Sequence, residues 1–164
     1  MSNTDSLRQD YLTLRDQVNS AQLATVGCDA TPEASYAPCI WREGDCYVFL
    51  SELASHTQNL KLNPSISLLF IEAETAAGNA FARKRISLFG KAAIVARNDD
   101  QYKTVINDFF LRFGEVMKLI EPLADFHLFR ITAQRGRFIR GFGQAYELAG
   151  DTLEQLIPVN PGNK

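Results

Sequence analysis

Histidine and cysteine are scarce in this chain, which limits the metal and covalent chemistry that it can support. Only His56 and His127 offer an imidazole, so a metal site of several histidines cannot form within one chain. The cysteines Cys28, Cys39 and Cys46 are odd in number and form no CxxC pair, which argues against a cysteine zinc site and a disulfide framework. We expect all three to be small buried apolar residues.

The sequence also has no long apolar run, no basic segment before an apolar run at its start, and no net positive charge. No uninterrupted apolar stretch approaches the roughly 18 residues that span a bilayer, and no basic segment precedes an apolar run at the start. The formal net charge is −2, whereas nucleic-acid binders usually carry a net positive field. We therefore expect a cytoplasmic protein that binds neither membranes nor nucleic acids.

Motifs that mark common catalytic folds are absent as well. No nucleophile elbow, cysteine and histidine pair or Walker loop is present. Gly141-Phe142-Gly143 lacks the third glycine and the strand-to-helix setting of a dinucleotide fingerprint. We expect these glycines to bend a strand or to let the backbone approach another group closely.

The composition that remains is that of an ordinary globular protein, with 46% hydrophobic and 22% charged residues. We expect one domain over residues 1–164, with a helix over 5–19, a barrel over about 21–148 and a C-terminal tail over 149–164. The first helix is amphipathic because Leu7, Tyr11, Leu14 and Val18 share one face.

Alternating apolar residues predict strands beyond the first helix. The predicted elements are strands at 23–26, 35–41 and 46–50, a short helix within 51–62, a strand at 65–72, a loop at 73–80, a long strand at 83–96, and strands at 125–132 and 137–148. The last two are expected to be joined near residues 134–136, and Gly90 is expected to mark a bulge or bend.

A strongly amphipathic pattern predicts one helix between Asp99 and Ile120, with Asn98 as its cap and an aromatic stripe that packs into the core. About six strands and two substantial helices, connected mostly by hairpins, favour an α+β protein. The expected fold is a six-stranded antiparallel closed or split β-barrel with helices packed outside.

Seven of the 17 basic residues are concentrated in two places, which suggests an anion site. They are Arg83, Lys84 and Arg85, and then Arg130, Arg135, Arg137 and Arg140. On a strand, Arg83 and Arg85 would share one face and could hold a phosphate or a carboxylate. The alternative is a solvated basic edge strand that discourages unwanted pairing.

The two histidines lie in different settings. His127 is flanked by apolar strand residues, so we expect a hydrogen-bonded, half-buried side chain there. His56 lies in a polar connector beside one end of the predicted barrel, and loops carry functional sites more often than strands do. His56 is therefore the better candidate for chemistry.

Three ordered motifs resemble the haem-utilisation proteins of the HugZ/HutZ type. They are 81–85 (FARKR), 125–130 (DFHLFR) and 141–146 (GFGQAY), and residues 36–38 (YAP) and 63–67 (NPSIS) agree too. The resemblance runs from about residue 21 to residue 156. Such proteins belong to the pyridoxamine-phosphate-oxidase-like, FMN-binding split-barrel group, so the resemblance implies a homodimer with ligand sites at the subunit interface.

The resemblance also implies haem binding, with oxidative haem cleavage as the family activity. It places His56 opposite a carboxylate across the dimer interface, Asp125 in the position of that carboxylate, and Arg85 near the haem. An aspartate partner would hold the imidazole tautomer and favour its charged form. Where family members carry an axial histidine after a glycine, this chain has Asn163 after Gly162, so the iron ligand stays open.

Two alternatives remain beside haem cleavage. The same barrel in related oxidases binds the FMN phosphate with basic residues at the dimer seam, and here Arg83, Arg85, His56 and Asn59 are the candidates, although many such proteins have a lysine at the place of His56. The other alternative is a carrier that binds haem or flavin without catalysis. A fold alone does not decide between these functions.

Overall fold

The structure is a computed structural model and describes residues 3–159. Its helices are α1 (Asn3–Gln17), α2 (Ser55–Leu62), α3 (Asp100–Phe113) and α4 (Val116–Ile120). Its strands are β1 (Ser20–Val26), β2 (Pro32–Arg42), β3 (Asp45–Ser51), β4 (Ser65–Ile71), β5 (Arg85–Val95), β6 (Phe126–Gly141), β7 (Gln144–Ala149) and β8 (Gln155–Pro158). None of these helices is long and apolar enough to cross a bilayer.

Six antiparallel strands form a barrel. They follow the order β3-β2-β1-β4-β5-β6, and β3 also pairs with β6, which closes the sheet on itself. The remaining strands β7 and β8 extend the sheet from the C-terminal half of β6. The predicted α+β fold with a six-stranded antiparallel barrel is confirmed, and two strands are added to it.

The barrel interior is filled by alternate residues of its strands, as the period of two requires. Strand β4 shows this alternation clearly, since Ile66, Leu68 and Phe70 are buried between half-exposed neighbours. Helix α1 packs its predicted stripe on this core, and Tyr11 makes an edge contact with Phe138 at 5.8 Å between ring centroids. The predicted helix stripe is therefore confirmed.

A second apolar cluster lies outside the barrel, between α3 and the outer faces of β3 and β6. It confirms that the aromatic stripe belongs to the core, but the predicted single helix is wrong. Gly114 has a φ of +68° and interrupts it between α3 and α4. The cap is Asp99, whose side chain accepts a hydrogen bond from the Gln101 amide at 2.8 Å, and not Asn98.

The predicted connection near residues 134–136 is also wrong, because β6 runs without a break through that region. Gly136 is required there for packing: a Cβ would lie 2.6 Å from Leu88 Cδ2 and 2.8 Å from Leu148 Cδ1. The turn comes later, at Phe142 and Gly143, where φ of Gly143 is +71°. The bulge expected at Gly90 is confirmed by a register shift between Phe89 and Gly90.

The three cysteines differ in their exposure to solvent. Cys39 and Cys46 are fully buried on β2 and β3, as expected, and burial raises the pKa of the Cys46 thiol, with a hydrogen bond to Cys39 as the next cause. Cys28 is exposed, which corrects the expectation for that residue. It lies in the tight turn between β1 and β2, which is closed by a hydrogen bond from the Gly27 amide to the Thr31 carbonyl at 2.9 Å.

Candidate functional site

The two arginines of the first basic run have different surroundings. Strand β5 begins at Arg85, and Arg83 lies just before it at the end of a 3-10 turn (Ala80–Ala82). The Arg83 guanidinium donates to the Glu72 carbonyl at 3.0 Å and to a Glu74 carboxylate oxygen at 3.0 Å. Arg83 therefore joins the end of β4 to the start of β5.

Arg85 lies in a cleft of about 400 Å³ that we call the Arg85 cleft. Its other lining residues are Phe81, Ile139, Gly141, Phe142, Gly143, Gln144, Ala145 and Val159. No carboxylate is among them, and the side chains of Phe81 and Phe142 are 83% and 81% exposed. The cleft thus combines one positive charge with two aromatic rings that reach into solvent.

Most basic side chains of residues 3–159 are paired with acids. The exceptions, which lie beyond 4.0 Å of any carboxylate in this part of the chain, are Arg85, Lys91, Arg112 and Arg135. In the second basic group, Arg140 bonds to Asp10 at 2.7 Å and Arg137 bonds to Glu147. That group therefore does not act as one anion site.

His56 is positioned by the first turn of α2. Its Nδ1 lies 2.9 Å from Ser35 Oγ on β2, and within residues 3–159 Nε2 has no hydrogen-bond partner. Burial lowers the pKa of His56, and the nearby Glu33 carboxylate opposes this shift. Within one chain the ring is therefore neutral near pH 7, with Nε2 available to a further group.

Asn59 is buried and holds α2 against the β1–β2 hairpin. Its side-chain amide donates to Thr25 Oγ1 at 3.0 Å and to Glu33 Oε2 at 2.9 Å. Ser55 donates to the other oxygen of the same Glu33 carboxylate. Both amide protons of Asn59 are therefore used inside the chain, and the network fixes the turn that carries His56.

Asp125 precedes β6 and accepts a hydrogen bond from Ser51 Oγ at 2.7 Å. Within residues 3–159 no hydrogen bond or ion pair joins Asp125 to His56. His127 is half-buried and its Nε2 lies 2.6 Å from Glu52 Oε1, which confirms the expectation of a hydrogen-bonded strand histidine. Lys61, and then His127, lower the pKa of Glu52 by hydrogen bonding.

Metal ligands do not converge in the described part of the chain. Residues 3–159 contain no group of three or more His, Cys, Asp or Glu side chains that could hold a metal ion. The residues that line the Arg85 cleft carry no imidazole, thiol or thioether. Asn163, at the position where the resemblance expects an axial histidine, lies outside the described residues.

Three side chains that line the Arg85 cleft or contact His56 were not among the candidates predicted from the sequence. Phe81 and Phe142 belong to the motifs that carry the resemblance, and two aromatic residues in polar or glycine-rich turns are a signal that could have found them. Ser35 gives no such signal, because it is one polar residue in an alternating strand and only the packing of α2 brings His56 to it.

Comparisons with known proteins identify the family of this chain. The family model described as pyridoxamine 5'-phosphate oxidase matches residues 7–140. Haem oxygenase HutZ of Vibrio cholerae is 37% identical over 158 residues, which cover 96% of this chain and 90% of that protein.

Two solved structures share the fold closely. HutZ of Vibrio cholerae, described there as a haem storage protein, has a TM-score of 0.76 and 34% identity over 81% of this chain and 93% of that chain. ChuZ of Campylobacter jejuni has a TM-score of 0.88 and 29% identity over 100% of this chain and 68% of that chain. The chain therefore belongs to the pyridoxamine 5'-phosphate oxidase family, as a member of its HutZ type.

Proposed function

We propose that this protein binds haem in the Arg85 cleft, as a haem-utilisation protein that forms a homodimer and cleaves haem oxidatively. The observation that carries the proposal is the unpaired Arg85 in a cleft with two exposed phenylalanines and no carboxylate. The 37% identity to a haem oxygenase over nearly the whole chain supports it.

The lining of the Arg85 cleft fits a flat ligand with an anionic edge. The Arg85 guanidinium donates one N–H to the Arg83 carbonyl at 3.1 Å. Its other N–H groups can donate to a propionate carboxylate. Phe81 and Phe142 offer apolar ring faces to a macrocycle. Gly141 and Gly143 would have no atoms within 4 Å of an added Cβ, so the cleft is open above them.

His56 and Asp125 would complete the site only if a second copy brings them together. Each is fixed inside its own chain, by Ser35 and Ser51, with ring Nε2 of His56 and one oxygen of Asp125 left over. We propose that these free atoms meet across the dimer interface. Bound haem iron would supply the oxygen chemistry, and the pair would hold a proton beside it.

Parallel titrations with haemin and with FMN test the proposal. We expect a shifted Soret band with haemin, followed by loss of that band and release of iron when ascorbate is added under air. A stable haem spectrum under these conditions would support a carrier, a role that matches the storage description of the Vibrio cholerae structure. If haemin produces no saturable spectral change, the Arg85 cleft is not a haem site.

FMN binding is the second candidate, because the chain matches the pyridoxamine 5'-phosphate oxidase family model and the motif resemblance implies an FMN-binding split barrel. Its phosphate would lie near the first turn of α2, where His56 and Asn59 are placed, with Arg85 as the unpaired cation. Saturable quenching of flavin fluorescence without haemin binding would favour this candidate. Affinity for both ligands would be compared under the same salt, because both are anionic.

The homodimer has its own test. Several large apolar side chains are exposed on the single chain, among them Tyr36 at 60% and Leu53 at 93%. Association would remove such surface from water. We expect twice the chain mass in light scattering at micromolar concentration, and a monomer would remove the proposed pairing of His56 with Asp125.

A further inference from the structure

A second cleft, of about 350 Å³, lies on the barrel wall where β1, β4, β5 and β6 run side by side. We call it the bulge cleft. Lys91 and Arg135 both line it, and they are two of the four basic side chains of residues 3–159 that lie beyond 4.0 Å of any carboxylate. No aspartate or glutamate contributes to its walls, so its positive charge is not compensated.

The β5–β6 bulge brings these side chains together. The pairing changes from Phe89 with Arg135 to Gly90 with Ala133, which leaves Gln134 as the extra residue of β6. In a regular strand, consecutive side chains point to opposite faces, but Gln134 and Arg135 both line the bulge cleft. Bulges re-aim side chains in this way beside functional sites.

Glycine makes this bulge possible. A Cβ on Gly90 would lie 2.2 Å from the Thr132 carbonyl oxygen and 2.9 Å from Ala133 Cα, so only glycine allows the two strands to approach this closely. The sequence therefore specifies the irregularity, and the irregularity creates the cleft.

The charged groups of the bulge cleft are held in place. The Arg135 guanidinium lies over the Phe89 ring, 4.1 Å from its centroid, which orients its planar face and leaves its N–H edge free. Lys91 Nζ donates to Ser65 Oγ at 2.7 Å. Within residues 3–159 that hydroxyl makes no other hydrogen bond, so its proton can be donated to a ligand.

We propose that the bulge cleft binds the phosphate group of a small phosphate monoester. The fork of Arg135, the ammonium of Lys91 and the Ser65 hydroxyl provide separate donors for the oxygens of a tetrahedral anion. The apolar part of the wall, which includes Ala24 and Val26, suits the organic portion of the ligand. This site is separate from the proposed haem site, since no residue lines both clefts.

Isothermal titration of the full chain with inorganic phosphate, AMP and adenosine tests the proposal. We expect saturable binding of phosphate, tighter binding of AMP and none of adenosine. Arg135→Gln and Lys91→Gln should each weaken AMP binding by about tenfold, the scale of one charged hydrogen bond. Arg137→Gln is the matched control, because it removes the same charge from the same strand but from a side chain already paired with Glu147.

Three results would overturn the proposal. The first is the absence of saturable binding of phosphate and AMP. The second is equal weakening by Arg135→Gln and Arg137→Gln, which would show a response to net charge alone. The third is a loss of dimer mass in Arg135→Gln, which would show that a second copy, and not a ligand, compensates these charges. Haemin binding should be unchanged in all three variants.

Discussion

Arg85→Gln is expected to weaken haemin binding by about 1–2 kcal/mol, which corresponds to a roughly 5- to 30-fold rise in Kd. The substitution keeps hydrogen-bonding capacity and much of the side-chain length but removes the charge. It acts on the one arginine of the Arg83–Arg85 run that has no carboxylate within 4.0 Å in the described chain. The fold should tolerate the change, because no ion pair is broken.

The magnitude follows from the surroundings of Arg85. Two unit charges 4 Å apart attract by about 4 kcal/mol at the effective dielectric of a protein surface. Desolvation and salt screening offset much of this, and a lost hydrogen bond to a charged group typically costs about 1.5–3 kcal/mol. Arg85 is half-exposed and already donates one N–H to a backbone carbonyl, so we expect about 1–2 kcal/mol, at and just below the lower end of that range.

Titration of the Soret band at two salt concentrations measures the effect, and Arg83→Gln is the control. Its guanidinium is held by Glu72 and Glu74, so we expect a loss of stability there with little change in haemin Kd. Equal Kd values for Arg85→Gln and the parent protein would refute the assignment of Arg85 to the site. Equal weakening by both variants would refute the argument that internal pairing separates the two arginines.

Three further predictions concern His56, Gly90 and Asn59. In Asp125→Asn, which removes the proposed partner carboxylate, burial should keep the pKa of His56 below its ordinary value of about 6.5. The stabilising contribution of the neutral ring is then present above about pH 6.5 and is lost as pH falls from there through the lowered pKa of the folded state, as NMR titration and unfolding at several pH values would measure. Gly90→Ala should lower the free energy of unfolding by about 1–3 kcal/mol in denaturant titrations, because its Cβ would lie 2.2 Å from a backbone oxygen of β6, whereas Gly78→Ala, with nothing within 4 Å, should change it little. Asn59→Ala should cost about 1–3 kcal/mol of stability by removing two buried hydrogen bonds, with haemin Kd changed by less than about twofold.

For each of these three predictions, one result would contradict the reasoning. A wild-type His56 pKa equal to that in Asp125→Asn would show that the two side chains do not meet in the dimer. Equal stability of Gly90→Ala and Gly78→Ala would show that β6 can move away from the added methyl group. A large loss of haemin affinity in a folded Asn59→Ala variant would place Asn59 in contact with the ligand.

Local sequence patterns predicted the helices and strands that have one face on the core and the other in solvent. The period of 3.6 in α1 and the period of two in β1–β5 follow directly from which face meets the core. The bulge at Gly90 was also predictable, since a glycine inside a strand pattern is typical of a close backbone approach. The resemblance of three short motifs added the barrel type.

Other features depend on contacts between distant parts of the chain. Gly136 reads locally as a turn residue, and only Leu88 and Leu148, which lie against it from β5 and β7, show that its small size is needed for packing. Gly114 sits in an unbroken apolar pattern, and its positive φ is a property of how α4 returns towards the barrel.

The charges show the division between sequence and tertiary structure most clearly. The sequence determines that seven basic residues occur in two groups. It does not determine which of them meet acids, because Asp10 lies 130 positions from Arg140 and reaches it only when α1 packs on the barrel. Tertiary structure neutralises most of these cations and leaves Arg85 and Arg135 unpaired, since ion pairing depends on distances of a few ångströms that no local pattern encodes.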